Sequence, residues 1–183
     1  MSDLAHRSSD AAAQATAYVA ALFDALGSRE PLAVLAESPD TLRRAVAGLS
    51  SEQDGTPEAP GKWSVRHVVQ HLADSELVGA FRFRMVLAHD APELPGYDQD
   101  RWARHLRYED ADLATALDDF ATLRELNLRL LRRATPEDLG RVMRHAERGD
   151  EPLETMIRLY AGHDLVHLGQ IARIRRAIGA PAA

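Results

Sequence analysis

Hydrophobic residues recur along most of this chain at the three- and four-residue steps that are typical of amphipathic α-helices. The first predicted helix covers residues 10–26, with Asp10 as its N-terminal cap and Gly27 as its stop. A second, shorter helix is predicted to begin at Ser38-Pro39-Asp40, because proline is favoured at the first position of a helix. Its apolar positions are Leu42, Val46 and Leu49.

Longer apolar stripes predict the remaining helices, which are separated by segments rich in glycine, proline and polar residues. These helices span about 64–88, 97–106, 110–133 and 153–178, and the segments between them are 50–61, 90–96 and 135–152. No segment alternates between polar and apolar residues for long enough to predict a strand. The sequence therefore predicts an all-α bundle, in which functional sites are built from side chains on facing helices.

The last predicted helix carries two histidines on its apolar side. Its stripe follows steps of four, three, four, four, three and four residues through Met156, Tyr160, His163, His167, Ile171, Ile174 and Ile178. Both imidazoles should therefore point into the bundle, one turn apart, where they can bind a single metal ion. The alternative is a pair of buried histidines with hydrogen-bond partners, since each unsatisfied ring would cost ~1–3 kcal/mol.

A third metal ligand would have to come from a facing helix, and His71 is the candidate. It lies about 60° from Val68 around the 64–88 helix, at the border of the apolar stripe. Gly162 and Gly169, on either side of the histidine pair, each cost helix stability and so indicate a close approach of a second helix.

Composition restricts the function further. The 183 residues include 22 Lys and Arg against 28 Asp and Glu, and the net charge of −6 disfavours nucleic-acid binding. The chain has no cysteine, so thiol chemistry would need a thiol from outside. Its longest uncharged run, residues 11–23, is shorter than the ~20 residues of a membrane span. We therefore expect one domain over residues 1–183, in a cytoplasmic protein that binds neither nucleic acid nor membranes.

Four runs of residues resemble the DinB/YfiT-like superfamily. They are GKWSVR at 61–66, HLADSE at 71–76, LPGYD at 94–98 and GHDLVHLGQI at 162–171. The resemblance covers residues 35–178 and implies a four-helix bundle, to which the N-terminal helix is an addition. It also implies one divalent ion, held by a histidine of the second bundle helix and two of the fourth, which correspond to His71, His163 and His167.

The same resemblance implies an enzyme that acts on a small molecule, but it does not decide which reaction the enzyme catalyses. Some members are S-transferases that use low-molecular-weight thiols such as bacillithiol or mycothiol, and others are described as metal-dependent hydrolases. Transfer of such a thiol to an electrophile is the leading hypothesis, and a metal-stabilised binding module without catalysis is a third. Imidazole ligands suit zinc, nickel, iron or copper, of which we favour zinc and then nickel. Three neutral imidazoles leave a coordination position open, as catalytic sites do. The resemblance also allows a homodimer.

Four further residues are candidates for orienting a ligand or binding substrate. Asp74 either orients a metal ligand or a bound water, or is a solvated carboxylate. Arg124 and Asn127 interrupt an apolar stripe and face either a cavity or an adjacent helix. Arg124 either holds an anionic part of a substrate or, the preferred interpretation, packs its stem while its head reaches solvent. His145 either overhangs the pocket or is an exposed loop residue.

Overall fold

The computed structural model describes residues 16–145 and 149–181, and four of the helices in these ranges pack as a bundle. The bundle helices are α2 (Pro31–Val46), α4 (Val65–Ala88), α6 (Leu113–Leu131) and α8 (Leu153–Ala177). Helix α1 precedes them and covers 16–26 in the described part, whereas its predicted cap, Asp10, lies outside the described residues. Shorter elements are α3 (Ser51–Gly55), α5 (Gln99–His105), α7 (Pro136–Leu139) and a 3₁₀ turn at Tyr108–Asp110. The predicted all-α four-helix bundle with an extra N-terminal helix is confirmed.

Helix α2 begins at Pro31, so the predicted start at Ser38 is wrong. The competing start signal lies just upstream, where Glu30 precedes a proline. The Glu30 carboxylate accepts hydrogen bonds from two backbone N–H groups of the first turn, at 3.1 and 2.6 Å, and Pro31 needs no such partner. A glutamate in this role is not among the usual N-terminal caps, which is why the pattern favoured the later serine.

Pro39 consequently lies inside α2 rather than at its start. Because proline has no backbone N–H, the carbonyl of Leu35, four residues earlier, lacks its usual helical donor. Arg124 of α6 replaces that donor, with its Nη1 atom 2.9 Å from the Leu35 oxygen. A cation from the neighbouring helix therefore satisfies the carbonyl that the internal proline leaves free.

Two apolar clusters occupy the two ends of the bundle, and a polar layer lies between them. One cluster includes Phe83, Leu128 and Met156, and the other includes Val69, Phe120 and Ile171. The buried polar residues between the clusters are His71, Ser75, Glu76, Arg124, Asn127, Asp164 and His167. Within the described ranges, no helix combines the length and the apolar composition needed to cross a bilayer.

Three short strands also occur in the described part of the chain, where the sequence predicted none. β1 (Glu93–Leu94) pairs in parallel with β2 (Val142–His145), and β2 pairs antiparallel with β3 (Gly149–Pro152). Strands of two to four residues are too short for a period-two pattern to be recognised. The predicted polar connector 135–152 therefore contains part of a small sheet, which buries Met143 against the bundle.

Gly162 of α8 allows α1 to pack closely on the bundle. A Cβ atom added at Gly162 would lie 2.2 Å from the carbonyl oxygen of Leu22 in α1. The same addition at Gly169 would meet nothing within 4 Å. The predicted close approach is therefore confirmed at Gly162 and wrong at Gly169.

We expect Gly162→Ala to lower the free energy of unfolding by ~1–3 kcal/mol, because the added methyl group must displace the backbone of α1. Gly169→Ala is the matched control on the same helix. It should be neutral or stabilise by up to ~1 kcal/mol, since alanine favours helix and the space is open. Urea denaturation followed by circular dichroism measures both variants, and equal unfolding midpoints would contradict this packing of α1.

Candidate metal centre

The three histidines predicted as metal ligands lie together in the polar layer. His71 is on α4, whereas His163 and His167 are on consecutive turns of α8. His163 Nε2 lies 3.1 Å from His71 Nε2 and 3.1 Å from His167 Nε2. The candidate ligand atoms of the three residues all lie within 4.8 Å of one another. We refer to these three residues as the histidine triad.

The spacing within the histidine triad suits one shared ion better than hydrogen bonds between the rings. Gln170 Oε1 can only accept and lies 2.8 Å from His167 Nδ1, so the proton of this ring is on Nδ1 and its Nε2 offers a lone pair. One proton on His163 Nε2 could serve only one of its two close neighbours. Nitrogen ligands ~2.0–2.1 Å from an ion in tetrahedral geometry would be about 3.3 Å apart, close to the observed 3.1 Å.

Burial keeps the three imidazoles uncharged. Burial, with a further contribution from nearby His167, lowers the pKa of His71 to about 3. Burial and the other two histidines lower the pKa of His163 well below its usual value. Burial also lowers the pKa of His167, although Gln170 and Asp164 oppose this effect. Near neutral pH each ring is therefore in the uncharged form that binds metal ions.

Gln170 is a site residue that sequence reasoning missed. It lies three residues after His167 on α8, a spacing at which side chains on a helix meet. By accepting from Nδ1–H it fixes both the tautomer and the orientation of the His167 ring, as the outer partners of metal-binding histidines commonly do. The signal was present in the run HLGQ at 167–170, but glutamine is mostly a surface residue and the spacing alone did not single it out.

Two cavities reach the histidine triad. The tyrosine cavity, of about 170 Å³, touches His71 and His163, and its other lining residues include Ser75, Arg82, Tyr97 and Tyr160. The tryptophan cavity, of about 650 Å³, touches His167, and its other lining residues include Trp63, His67 and Gln170. No fourth His, Cys, Asp or Glu joins the triad among the described residues, so small molecules can approach it from these cavities.

A buried ion network lies beside the histidine triad. Arg124 is 2% exposed and donates to Asp164 at 2.6 and 3.1 Å and to Glu76 at 2.9 Å. Asn127 Nδ2 donates to Glu76 Oε2 at 2.9 Å. Burial alone would lower the pKa of Arg124, but the carboxylates of Asp164 and Glu76 raise it above its usual value. We call these four residues the Arg124 network.

The Arg124 network corrects both interpretations of Arg124 made from the sequence. The preferred one, with its head in solvent, is wrong because the guanidinium is buried between two carboxylates. A substrate contact is also contradicted, because Arg124 and Asn127 line neither cavity and both η nitrogens of Arg124 donate to protein acceptors. Of the two placements considered for Asn127, the adjacent helix is the observed one.

The other two candidates lie in different surroundings. The Asp74 carboxylate accepts from the Tyr108 hydroxyl at 2.5 Å and from Gln70 Nε2 at 3.3 Å, and it lines neither of these cavities. The structure therefore gives Asp74 the role of a structural acceptor rather than that of a partner to a metal ligand. His145 is buried on β2 and lines the tyrosine cavity, so it lies beside the pocket and not in solvent.

Comparison with known proteins points to one family. The sequence pattern of the DinB superfamily matches residues 35–171. The chain is 33% identical over 150 residues to the Bacillus subtilis (strain 168) protein named "Putative metal-dependent hydrolase YfiT". The aligned residues are 80% of this chain and 83% of that protein. A Geobacillus kaustophilus protein also named as a "Putative metal-dependent hydrolase" is 33% identical over 161 residues, or 86% of this chain and 89% of that protein.

A solved structure gives the same relationship. It is that of YfiT from Bacillus subtilis, described as "a probable metal-dependent hydrolase with an unusual four-helix bundle topology". The two folds superpose with a TM-score of 0.78 at 31% sequence identity, over 82% of this chain and 87% of that one. The family match over residues 35–171 includes all three histidines of the triad.

Proposed function

The chain belongs to the DinB superfamily, and from that premise we propose that its histidine triad binds one divalent ion, zinc or nickel, in an enzyme that acts on a small molecule. The observation that carries this proposal is the convergence of three uncharged imidazole nitrogens beside an open cavity. When bound, such an ion supplies Lewis-acid chemistry, because it lowers the pKa of a water or thiol that reaches it.

Side chains around the histidine triad keep its geometry fixed. Gln170 holds the His167 ring with Nε2 directed at His163 Nε2, the atom that also lies 3.1 Å from His71 Nε2. The Arg124 network joins α4, α6 and α8 next to the triad, and Asp164 is the direct neighbour of His163. Because ligands from two helices must keep one spacing, these buried contacts hold the helices at the spacing that a shared ion requires.

For the reaction, we propose transfer of a low-molecular-weight thiol to an electrophile. The tyrosine and tryptophan cavities touch different histidines, which supports the binding of two small molecules at one centre. The chain has no cysteine, so the sulfur nucleophile must be that of the bound thiol. In this reaction the S–H bond breaks and the proton passes to solvent. The sulfur then forms a bond to the electrophilic carbon, while the bond from that carbon to the leaving group breaks and the leaving group takes its electron pair.

Hydrolysis is the second candidate reaction, and the names of the Bacillus and Geobacillus relatives support it. In that case water would take the place of the thiol, and the second cavity would have no reactant to bind. A binding module without catalysis is less well supported, since a cavity adjoins the triad. A cytoplasmic location and a homodimer stay predictions.

We expect the metal-loaded protein to consume an external thiol in the presence of an electrophile. The thiols to test are bacillithiol, mycothiol, glutathione and cysteine, with chlorodinitrobenzene or an epoxide as the electrophile. Loss of free thiol over time is the measurement. His71→Ala removes the triad member from α4 and should reduce the rate to that of the uncatalysed reaction.

The control for this assay is His105→Ala, which removes an exposed histidine of α5 outside both cavities and should not change the rate. Hydrolysis of a panel of esters and amides is followed in parallel. If no thiol is consumed faster than by His71→Ala, while the intact protein alone cleaves an ester or amide, then hydrolysis replaces thiol transfer as the function.

A further inference from the structure

The tyrosine cavity has a cationic side that the proposed reaction leaves unexplained. Arg82 lines this cavity although it is only 8% exposed. It lies on α4 eleven residues after His71, or ~16 Å along the helix axis. Steps of four, four and three residues through Ser75 and Gly79 place both residues on one face of α4. Helical side chains lean toward the N-terminal end, so Arg82 leans in the direction of His71.

The Arg82 guanidinium has hydrogen-bond donors to spare. Its Nη2 atom donates to the Pro95 carbonyl at 2.7 Å, and the group lies beside the Tyr160 hydroxyl. A guanidinium has five N–H donors, so these two neighbours leave several for a ligand. Within the described ranges, no carboxylate forms an ion pair with Arg82, whereas the buried Arg124 and the half-buried Arg66 are paired with acidic residues. The buried Arg175 has no carboxylate partner either, but it donates to three backbone carbonyls. A buried, unpaired cation is costly unless an anion joins it.

The remaining polar groups of the tyrosine cavity also suit an anion. Its described lining residues include no Asp or Glu. Burial raises the pKa of Tyr97, and it raises that of Tyr160 as well, so both hydroxyls keep their protons and can donate. Ser75 Oγ lies 2.9 Å from the Tyr97 hydroxyl, which adds a further hydroxyl to this wall. The cavity therefore offers hydrogen-bond donors around a positive charge.

We propose that Arg82 binds a carboxylate group of the substrate and thereby orients the reacting end of that molecule toward the histidine triad. This inference rests on the proposed function, since it takes the triad to be the reacting centre. The planar guanidinium matches a carboxylate in a two-point contact, which a lysine could not provide. A cavity of about 170 Å³ limits the molecule to a small organic acid. Arg82 is a binding and positioning residue in this account.

The test compares carboxylates with their amides in the zinc-loaded, full-length protein. The probes are mercaptoalkanoates from mercaptoacetate to 6-mercaptohexanoate, each with its primary amide, and binding is measured by isothermal titration calorimetry. The thiol of each probe is meant to bind at the histidine triad, and the carboxylate or amide at its other end is meant to contact Arg82. At one or more chain lengths we expect the carboxylate to bind about tenfold more tightly than its amide, because it adds charge-assisted hydrogen bonds. Arg82→Gln should remove that preference, and Arg82→Lys should keep part of it.

Arg129→Gln is the control for the loss of one positive charge, because Arg129 is 60% exposed, pairs with Glu125 and lines neither cavity. Thermal unfolding checks each variant, and if Arg82→Gln does not fold, an acid-over-amide preference in Arg82→Lys as large as that of the wild type overturns the inference. Equal affinity for acid and amide at every length, or a preference that survives in both Arg82 variants, would overturn the inference and leave the metal site standing.

Tighter competition by inorganic phosphate than by acetate would overturn the choice of carboxylate. Binding that His163→Ala does not weaken would count against the triad itself, and the inference would fall with it.

Discussion

Replacing His163 with alanine is expected to abolish stoichiometric metal binding. The wild-type protein should carry about one divalent ion per chain, because three imidazole nitrogens converge on one point. His163 Nε2 takes part in both 3.1 Å contacts of the triad, so its removal leaves His71 and His167 without their common neighbour. The measurement is metal content by mass spectrometry after the protein has been loaded with zinc or nickel and passed through a gel-filtration column.

Two further variants separate ligand loss from indirect effects. His105→Ala removes an exposed histidine and should leave the metal content unchanged. Gln170→Ala removes the partner of His167 Nδ1 and should weaken metal affinity by about 10–100-fold without abolishing binding. Circular dichroism should show full helix content in all of these proteins, since the two apolar clusters that form the core include none of the three histidines. Full occupancy in His163→Ala would contradict the ligand assignment.

The second large effect is expected at Arg124. We expect Arg124→Met to lower the free energy of unfolding by ~3–5 kcal/mol, because it leaves the buried carboxylates of Glu76 and Asp164 without their cation. The same change removes the donor to the Leu35 carbonyl, which internal Pro39 leaves without a helical partner. Urea denaturation at neutral pH measures this loss.

An exposed ion pair provides the matched comparison for Arg124. Arg129 lies on the same helix and pairs with Glu125 at 3.3 Å, with both side chains more than half exposed. Arg129→Gln should therefore change the free energy of unfolding by less than ~0.5 kcal/mol. If Arg124→Met proved no more destabilising than Arg129→Gln, the Arg124 network would not be holding α4, α6 and α8 together.

The triad was within reach of sequence reasoning because its geometry is largely that of single helices. His163 and His167 are one turn apart on a stripe of apolar residues, so their direction follows from helix periodicity alone. Predicting His71 as the third ligand required further information, since its position at the border of a stripe does not show which helix it faces. The resemblance to a family with a three-histidine site supplied that step, and the structure places the three rings together.

The Arg124 network was not predicted, because its contacts depend on lateral distances between helices. Arg124 lies 48 residues from Glu76 and 40 from Asp164 in the chain, and no helical periodicity links them. A usable signal existed nonetheless: Glu76 follows Leu72 by four residues, and Arg124 follows Phe120 by four. Two opposite charges on the apolar sides of different helices indicate a buried pair rather than two solvated heads.

The small sheet escaped prediction for another reason. Its strands are two to four residues long, at most two repeats of the alternating pattern, and they lie in segments whose proline and glycine content is typical of loops. Pairing of β1 with β2 nevertheless places His145 at the wall of the tyrosine cavity. Local composition therefore identified these segments as connections but did not show that one of them helps to form the site.

X-ray absorption spectroscopy of the zinc-loaded protein tests the central claim most directly, because it reports the ligands of the ion themselves. Three imidazole nitrogens at ~2.0–2.1 Å should dominate the spectrum, and addition of a thiol substrate should bring one sulfur to ~2.3 Å. The His163→Ala protein, exposed to the same zinc, should not reproduce that spectrum. A wild-type spectrum with fewer than three imidazoles, or one unchanged by His163→Ala, would contradict a catalytic metal centre at the histidine triad.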